Sequence, residues 1–138
     1  MKEQNMRFIH VGVGGFGQCW VRVLKDNPAA KVVGLVDVSE AALEKACQIG
    51  GYSKDLCFKS LEDALKNVKA DAVVSSTPPA FHKHDVITAM KAGLDVISEK
   101  PMADTMASCR AMLKTASETG RTYVVSQNYR YSPPMWTL

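Results

Sequence analysis

Five short apolar runs punctuate the chain: 7-RFIHVGVG-14, 31-KVVGLVD-37, 71-DAVVSST-77, 94-LDVIS-98 and 122-TYVVSQ-127. Their near-continuous Val and Ile content, without polar alternation, is the pattern of strands buried on both faces. Between them lie longer amphipathic stretches that end in glycine. Residues 39–49 run from Ser39, a plausible N-cap, to Gly50-Gly51, residues 79–92 from Pro79 to Gly93, and residues 104–119 from Asp104 to Gly120. Proline or a capping residue at the start and glycine past the end mark these as helices. A weaker strand at 55-DLCF-58 precedes a short helix opened by 60-SLED-63, where Ser60 and Asp63 have capping-box spacing. Alternating strands and helices of this length predict the α/β class: a doubly wound parallel sheet with right-handed crossovers and helices on both faces.

At 138 residues and 46% hydrophobic, the chain holds one core's worth of apolar material. The dinucleotide-binding unit is expected over residues 1–131. The tail 132–138, with Pro133 and Pro134, reads as the start of a connection to a substrate domain outside this chain. The net charge of +3 is mild, and its Lys and Arg residues are interspersed with acids, so nothing calls for nucleic acid. No run is long enough to span a bilayer and no signal-peptide pattern opens the chain, which makes the cytoplasm the expected address. Cys19, Cys47, Cys57 and Cys109 lie far apart with no C-x-x-C, so neither zinc nor a disulfide framework is favoured. Reduced, mostly buried thiols are expected.

The first strand runs into 12-GVGGFG-17, which fits G-x-G-x-x-G, and a helical stretch, 15-GFGQCWVRVLKD-26, follows. In that context the spacing has a physical meaning. Gly12 permits a tight turn, Gly14 leaves room for a pyrophosphate, and Gly17 lets the helix pack close to the strand. The loop residues Gly15 and Phe16 lead into a helix start whose N–H groups face the anion. Asp37 ends the second strand, twenty positions after Gly17. An acid there accepts hydrogen bonds from both hydroxyls of the adenosine ribose and repels a 2′-phosphate, and no Arg or Lys follows before Lys45. NAD is therefore favoured over NADP.

Thr77 and Pro78 fall at the carboxyl end of the fourth strand, where open α/β sheets bind ligands. His82 lies in the first turn of the next helix, where the macrodipole disfavours its protonation. Two readings stand level: a neutral ring touching cofactor or substrate, and a solvated first-turn histidine. His84 points to a different face and is expected at the surface. The pair Glu99-Lys100 before Pro101 is, taken alone, an ordinary charged loop.

Taken together, 12-GVGGFG-17, 37-DVSE-40, 76-STPPAFHKHDVITAMKAGLDVISEKPMA-103 and 126-SQNYRYSP-133 resemble the N-terminal domain of the Gfo/Idh/MocA family, named for glucose–fructose oxidoreductase, inositol dehydrogenase and the rhizopine-catabolism oxidoreductases. The resemblance spans nearly the whole chain. It implies a three-layer Rossmann dinucleotide-binding fold and NAD(P)-dependent hydride transfer to or from a sugar, cyclitol or related polyol. It places Lys100 beside the nicotinamide and the substrate carbinol as a proton-handling residue, and Glu99 against the nearby ribose. It gives Asn128 and Arg130 a cofactor or interface role near a domain junction. A homo-oligomeric full-length protein is expected. Complete members add a largely β domain that this chain has no room for, which would cover Tyr129, Tyr131, Trp136 and Leu138. The competing reading is a regulatory module that binds the dinucleotide without turnover. Lys100 favours the enzyme, because a sensor has no use for a proton-handling lysine at the nicotinamide end.

Overall fold

Six strands form one parallel sheet in the computed structural model, which describes residues 5–132. They are β1 (Met6–Val11), β2 (Ala30–Val36), β3 (Cys57–Phe58), β4 (Ala72–Ser75), β5 (Asp95–Ser98) and β6 (Tyr123–Val125), in the order β3-β2-β1-β4-β5-β6. All five neighbouring pairs are parallel. The helices are α1 (Gly17–Asp26), α2 (Glu40–Gly50), α3 (Leu61–Asn67), α4 (Pro79–Lys91) and α5 (Met106–Thr119). The chain winds outward from β1 through β2 to β3, then returns to place β4 on the other side of β1. That reversal opens a crevice at the carboxyl ends of β1 and β4.

The two sheet faces carry separate cores. One joins Phe8, Val32, Leu35 and Val74 to Val21 and Leu24 of α1 and Leu43 and Ala46 of α2. The other joins Ile9, Val11, Val73 and Val96 to Leu61 of α3, Val86 and Met90 of α4 and Met112 of α5. Neighbouring residues of one strand, such as Phe8 and Ile9 or Val73 and Val74, face opposite cores, as the twofold side-chain period requires. This is why the strands read as continuous apolar runs. No helix among the described residues is long and apolar enough to cross a membrane.

Most helix boundaries fall where the caps put them. Ser39 Oγ accepts from the Ala42 N–H at 3.2 Å, Ser60 Oγ accepts from the Asp63 N–H at 3.1 Å, and Gly51 and Gly120 close α2 and α5 in the left-handed conformation. Three expectations need correcting. The cap of α5 is Thr105, whose Oγ1 accepts from the Ser108 N–H at 3.1 Å, because the cap must directly precede the first helical residue and Asp104 stands one position too early. The weak strand keeps only Cys57–Phe58, since Lys54–Leu56 form a 3-10 turn in which Ser53 Oγ accepts from the Asp55 N–H. Of the cysteines only Cys47 is buried, while Cys57 and Cys109 are partly covered and Cys19, on the outer side of α1, is exposed. The helix start expected at Pro133 or Pro134, and Trp136 and Leu138, lie outside the described residues.

β1 also buries His10 completely. Its Nε2 lies 2.8 Å from Ser76 Oγ, and Ser76 Oγ donates to the Gly12 carbonyl at 2.7 Å, so the proton order that satisfies both contacts puts hydrogen on Nε2. Nδ1 is left as a buried acceptor with no partner among the described residues. Burial holds the ring neutral by pushing its pKa down to about 3. The unfolded chain takes up this proton near pH 6.5 and the folded chain does not, so stability is full above that pH and falls as the pH drops from 6.5 towards 3. We expect a loss of about 2 kcal/mol from this group at pH 5, at about 1.4 kcal/mol per pH unit. Urea unfolding at pH 7 and pH 5 checks this: His10→Gln should flatten the fall, and an unchanged fall would assign it to other groups.

Candidate dinucleotide site

The crevice is a cavity of about 720 Å³. Its floor is the turn from β1 into α1. Gly12 has φ +82°, and a Cβ there would stand 2.7 Å from the Thr77 nitrogen, so this residue is glycine for both backbone and space. A Cβ on Gly17 would overlap the Gly12 carbonyl oxygen. Gly14 differs from both. Its φ is not positive, and a Cβ there would make only ordinary contacts, 3.5 Å to Ala42 Cβ and 3.6 Å to Asp37 Oδ2. Nothing in the chain itself calls for glycine at 14; the open volume faces the cavity. The N–H groups of Gly15 and Phe16, both at the cavity, have no partner among the described residues and precede the positive end of α1. Two such N–H groups ahead of a helix start can hold an anion.

Asp37 closes one side. Its Oδ1 accepts from the Ser39 N–H at 2.9 Å and its Oδ2 from the Gly14 N–H at 3.2 Å, which fixes the carboxylate at the end of β2. Each oxygen retains acceptor capacity towards the cavity. Lys59, which follows β3, reaches the same end and is paired with Glu40 at 2.9 Å. The cation that was absent from the residues after Asp37 in sequence is thus supplied from 22 positions on.

The opposite end is formed by Glu99 and Lys100. Trp20 Nε1 donates to Glu99 Oε1 at 2.8 Å, and the Lys100 N–H donates to Glu99 Oε2 at 3.2 Å. The acid is held by α1, and the exposed Lys100 ammonium has no partner among the described residues. The Lys100–Pro101 peptide is cis. Between the ends, Thr77 and Pro78 form the wall at the start of α4. Thr77 Oγ1 donates to Asp85 Oδ2 at 2.7 Å, and Ser75 Oγ donates to the same oxygen at 2.8 Å.

His82 satisfies neither of its two readings. It is fully buried and does not line the cavity. Its Nε2 lies 2.8 Å from the Thr77 carbonyl oxygen and its Nδ1 lies 3.0 Å from that of Pro101. The reason is helix phase: the buried stripe of α4 is His82, Asp85, Val86, Ala89 and Met90, at helical spacing, and it faces the sheet. His82 joins the loop that carries Thr77 to the loop that carries Lys100. Asn128 is likewise not brought to the cavity. It is exposed in the 3-10 turn Asn128–Tyr131 after β6, an edge strand beyond β5, whereas the cavity ends at Glu99 and Lys100. His84 is exposed as expected, yet it borders the cavity between two acids: Nε2 lies 3.0 Å from Glu62 Oε1 and Nδ1 3.4 Å from Asp85 Oδ1.

Sequence reading missed Trp20, Lys59, Glu62 and Asp85. For Asp85 a signal existed, since it falls on the apolar stripe of its helix three positions after His82, where an acid needs partners. Lys59 and Glu62 meet the cavity, and Trp20 meets its Glu99, only through strand order.

A parallel sheet of this order, with a glycine turn at its switch point and an acid ending β2, defines a dinucleotide-binding domain. The model of the Gfo/Idh/MocA oxidoreductase family, NAD-binding Rossmann fold, matches residues 6–127, and the chain belongs to that family. It is 32% identical over 129 residues to the 4-carboxy-2-hydroxymuconate-6-semialdehyde dehydrogenase of a Sphingobium species, covering 93% of this chain and 40% of that protein. It is 31% identical over 120 residues to the inositol 2-dehydrogenase of Leifsonia xyli, covering 84% of this chain and 34% of that protein. Among solved structures, the WlbA dehydrogenase of Bordetella pertussis, in complex with NADH and UDP-GlcNAcA, superposes with a TM-score of 0.90 at 29% identity, over 99% of this chain and 40% of that one. The chain therefore spans roughly two fifths or less of the relatives it matches.

Proposed function

We propose that this chain is the NAD-binding portion of a dehydrogenase that acts on a CH–OH group of a sugar, cyclitol or related polyol. The observation that carries the reading is the Lys100 ammonium, unpaired among the described residues, at the opposite end of the cavity from Asp37 and beside a Glu99 held in place by Trp20. Bound nicotinamide dinucleotide supplies a hydride acceptor or donor. The residues of this chain do the rest. Gly14, Gly15 and Phe16 take the pyrophosphate, Asp37 orients the adenosine ribose, and Glu99 accepts from the hydroxyls of the other ribose. Lys100 hydrogen-bonds to the substrate oxygen and handles its proton as the hydride leaves the carbon. That is general acid–base catalysis by a side chain at the reacting atom. Relatives such as inositol 2-dehydrogenase support the polyol class of substrate.

The cofactor half is tested by titration. NADH should bind at least roughly tenfold more tightly than NADPH at one salt concentration, because the fixed Asp37 carboxylate repels a 2′-phosphate. In Asp37→Ala the ratio should shrink towards unity, aided by Lys59, which can then meet the phosphate. Equal affinities in the unmodified protein would remove Asp37 as the discriminator.

A further inference from the structure

The same cavity has an apolar part beside Asp37. Val38, Leu61 and Phe81 line it, from the end of β2, the start of α3 and the first turn of α4. Val38 is 87% exposed and Phe81 58% exposed, which is unusual for large apolar side chains bordering one cavity. Two acids and a histidine border the same region. Asp85 is almost fully buried and anchored by the Ser75 and Thr77 hydroxyls; its Oδ1 faces His84 Nδ1, and His84 Nε2 faces Glu62 Oε1 at 3.0 Å. The chain of contacts runs from a rigid buried carboxylate out to Glu62, and Glu62 Oε2 has no partner among the described residues. Fixing one oxygen of a half-exposed glutamate in this way leaves the other as a positioned acceptor.

We infer that Glu62, held by His84 and Asp85, is a specificity residue that reads the exocyclic amine of the adenine base. The inference rests on the dinucleotide reading above, because pyrophosphate at the glycine turn and ribose at Asp37 send the attached base past Asp37. The apolar side chains there cover the faces of a planar ring. A carboxylate is an acceptor only, so facing the 6-substituent it favours an N–H₂ group and disfavours a carbonyl oxygen, whereas a carboxylate facing N1 would accept from the N1–H of a 6-oxo base and lose the preference. Among purine dinucleotides the site should therefore select a 6-amino over a 6-oxo base. Glu62 is accessible to water, so the discrimination is that of one partly screened hydrogen bond.

The test compares NADH with reduced nicotinamide hypoxanthine dinucleotide, in which a carbonyl replaces the 6-amine and N1 gains a hydrogen, by nicotinamide fluorescence titration of this chain. NADH should bind about three- to tenfold more tightly. In Glu62→Gln the amide can turn either its oxygen or its nitrogen to the ring, so the ratio should fall to near one. His84→Ala should lower the ratio partway by freeing Glu62, at an unchanged melting temperature. No discrimination in the unmodified protein, or a ratio that survives Glu62→Gln, would overturn the assignment while leaving the dinucleotide site intact. A Glu62→Gln loss that is equal for both dinucleotides would make Glu62 a wall of the pocket and overturn it too. Failure of either dinucleotide to bind at all would overturn the dinucleotide reading itself.

Discussion

Gly14→Val is expected to lower NADH affinity by roughly a hundredfold or more, about 2.7 kcal/mol, and to leave the melting temperature within a few degrees of the unmodified protein. The three glycines of the turn separate here. Gly12 and Gly17 cannot carry a side chain without colliding with the chain's own backbone, so substitution at either damages the fold along with the site. At Gly14 the backbone is one that any residue adopts, and the nearest atoms around a new Cβ are 3.5 Å and 3.6 Å away. The isopropyl group of valine then fills volume that only a ligand would use, against the N–H groups of Gly15 and Phe16, which have no partner among the described residues. Fluorescence titration and thermal melting on the same sample decide it. Normal NADH binding by a normally folded Gly14→Val protein would mean that the anion does not sit on this turn.

Lys100→Met should cut the rate of substrate oxidation by about two to four orders of magnitude in a turnover-competent form of the protein, the usual range for a positioned acid or base. Methionine keeps the length and apolar stem of lysine and removes the ammonium, so lost packing does not explain a lost rate. Lys100 makes no ion pair among the described residues, and Glu99 keeps its bond from Trp20 in the variant. NADH affinity should therefore stay within about threefold and the melting temperature should hold. A fall in turnover, affinity and stability together would make the lysine structural. Full turnover in the variant would make residues 99–104 an ordinary loop after β5, and NADH binding by a complete protein that turns over no polyol would favour a cofactor-sensing module.

Local features of the site were legible along the chain. Gly12, Gly14 and Gly17 follow one strand at fixed spacing, and Asp37 ends the next, so each could be placed by counting. Lys100 was visible through its neighbours Glu99 and Pro101, although its chemistry came from resemblance. His82 shows where counting fails: its position in the first turn was right, but whether a first-turn residue faces ligand, solvent or sheet depends on the rotation of α4 about its axis. Only the packing of Val86, Ala89 and Met90 against β4 and β5 sets that rotation. Asn128 followed the family pattern into a place where the described cavity does not reach.

The sequence by itself determined the alternation of buried strands and capped helices, and with it the parallel sheet, because strand burial, helix capping and crossover handedness all depend on residues close together in the chain. It also determined the glycine turn and the acid beyond it. Tertiary structure alone decided the partners. Trp20 meets Glu99 across 79 residues, His10 meets Ser76 across 66, and Lys59 and Glu62 join Asp37 at one cavity. These contacts depend on β4 returning to lie beside β1, a long-range arrangement to which no local pattern of polar and apolar residues assigns particular side chains.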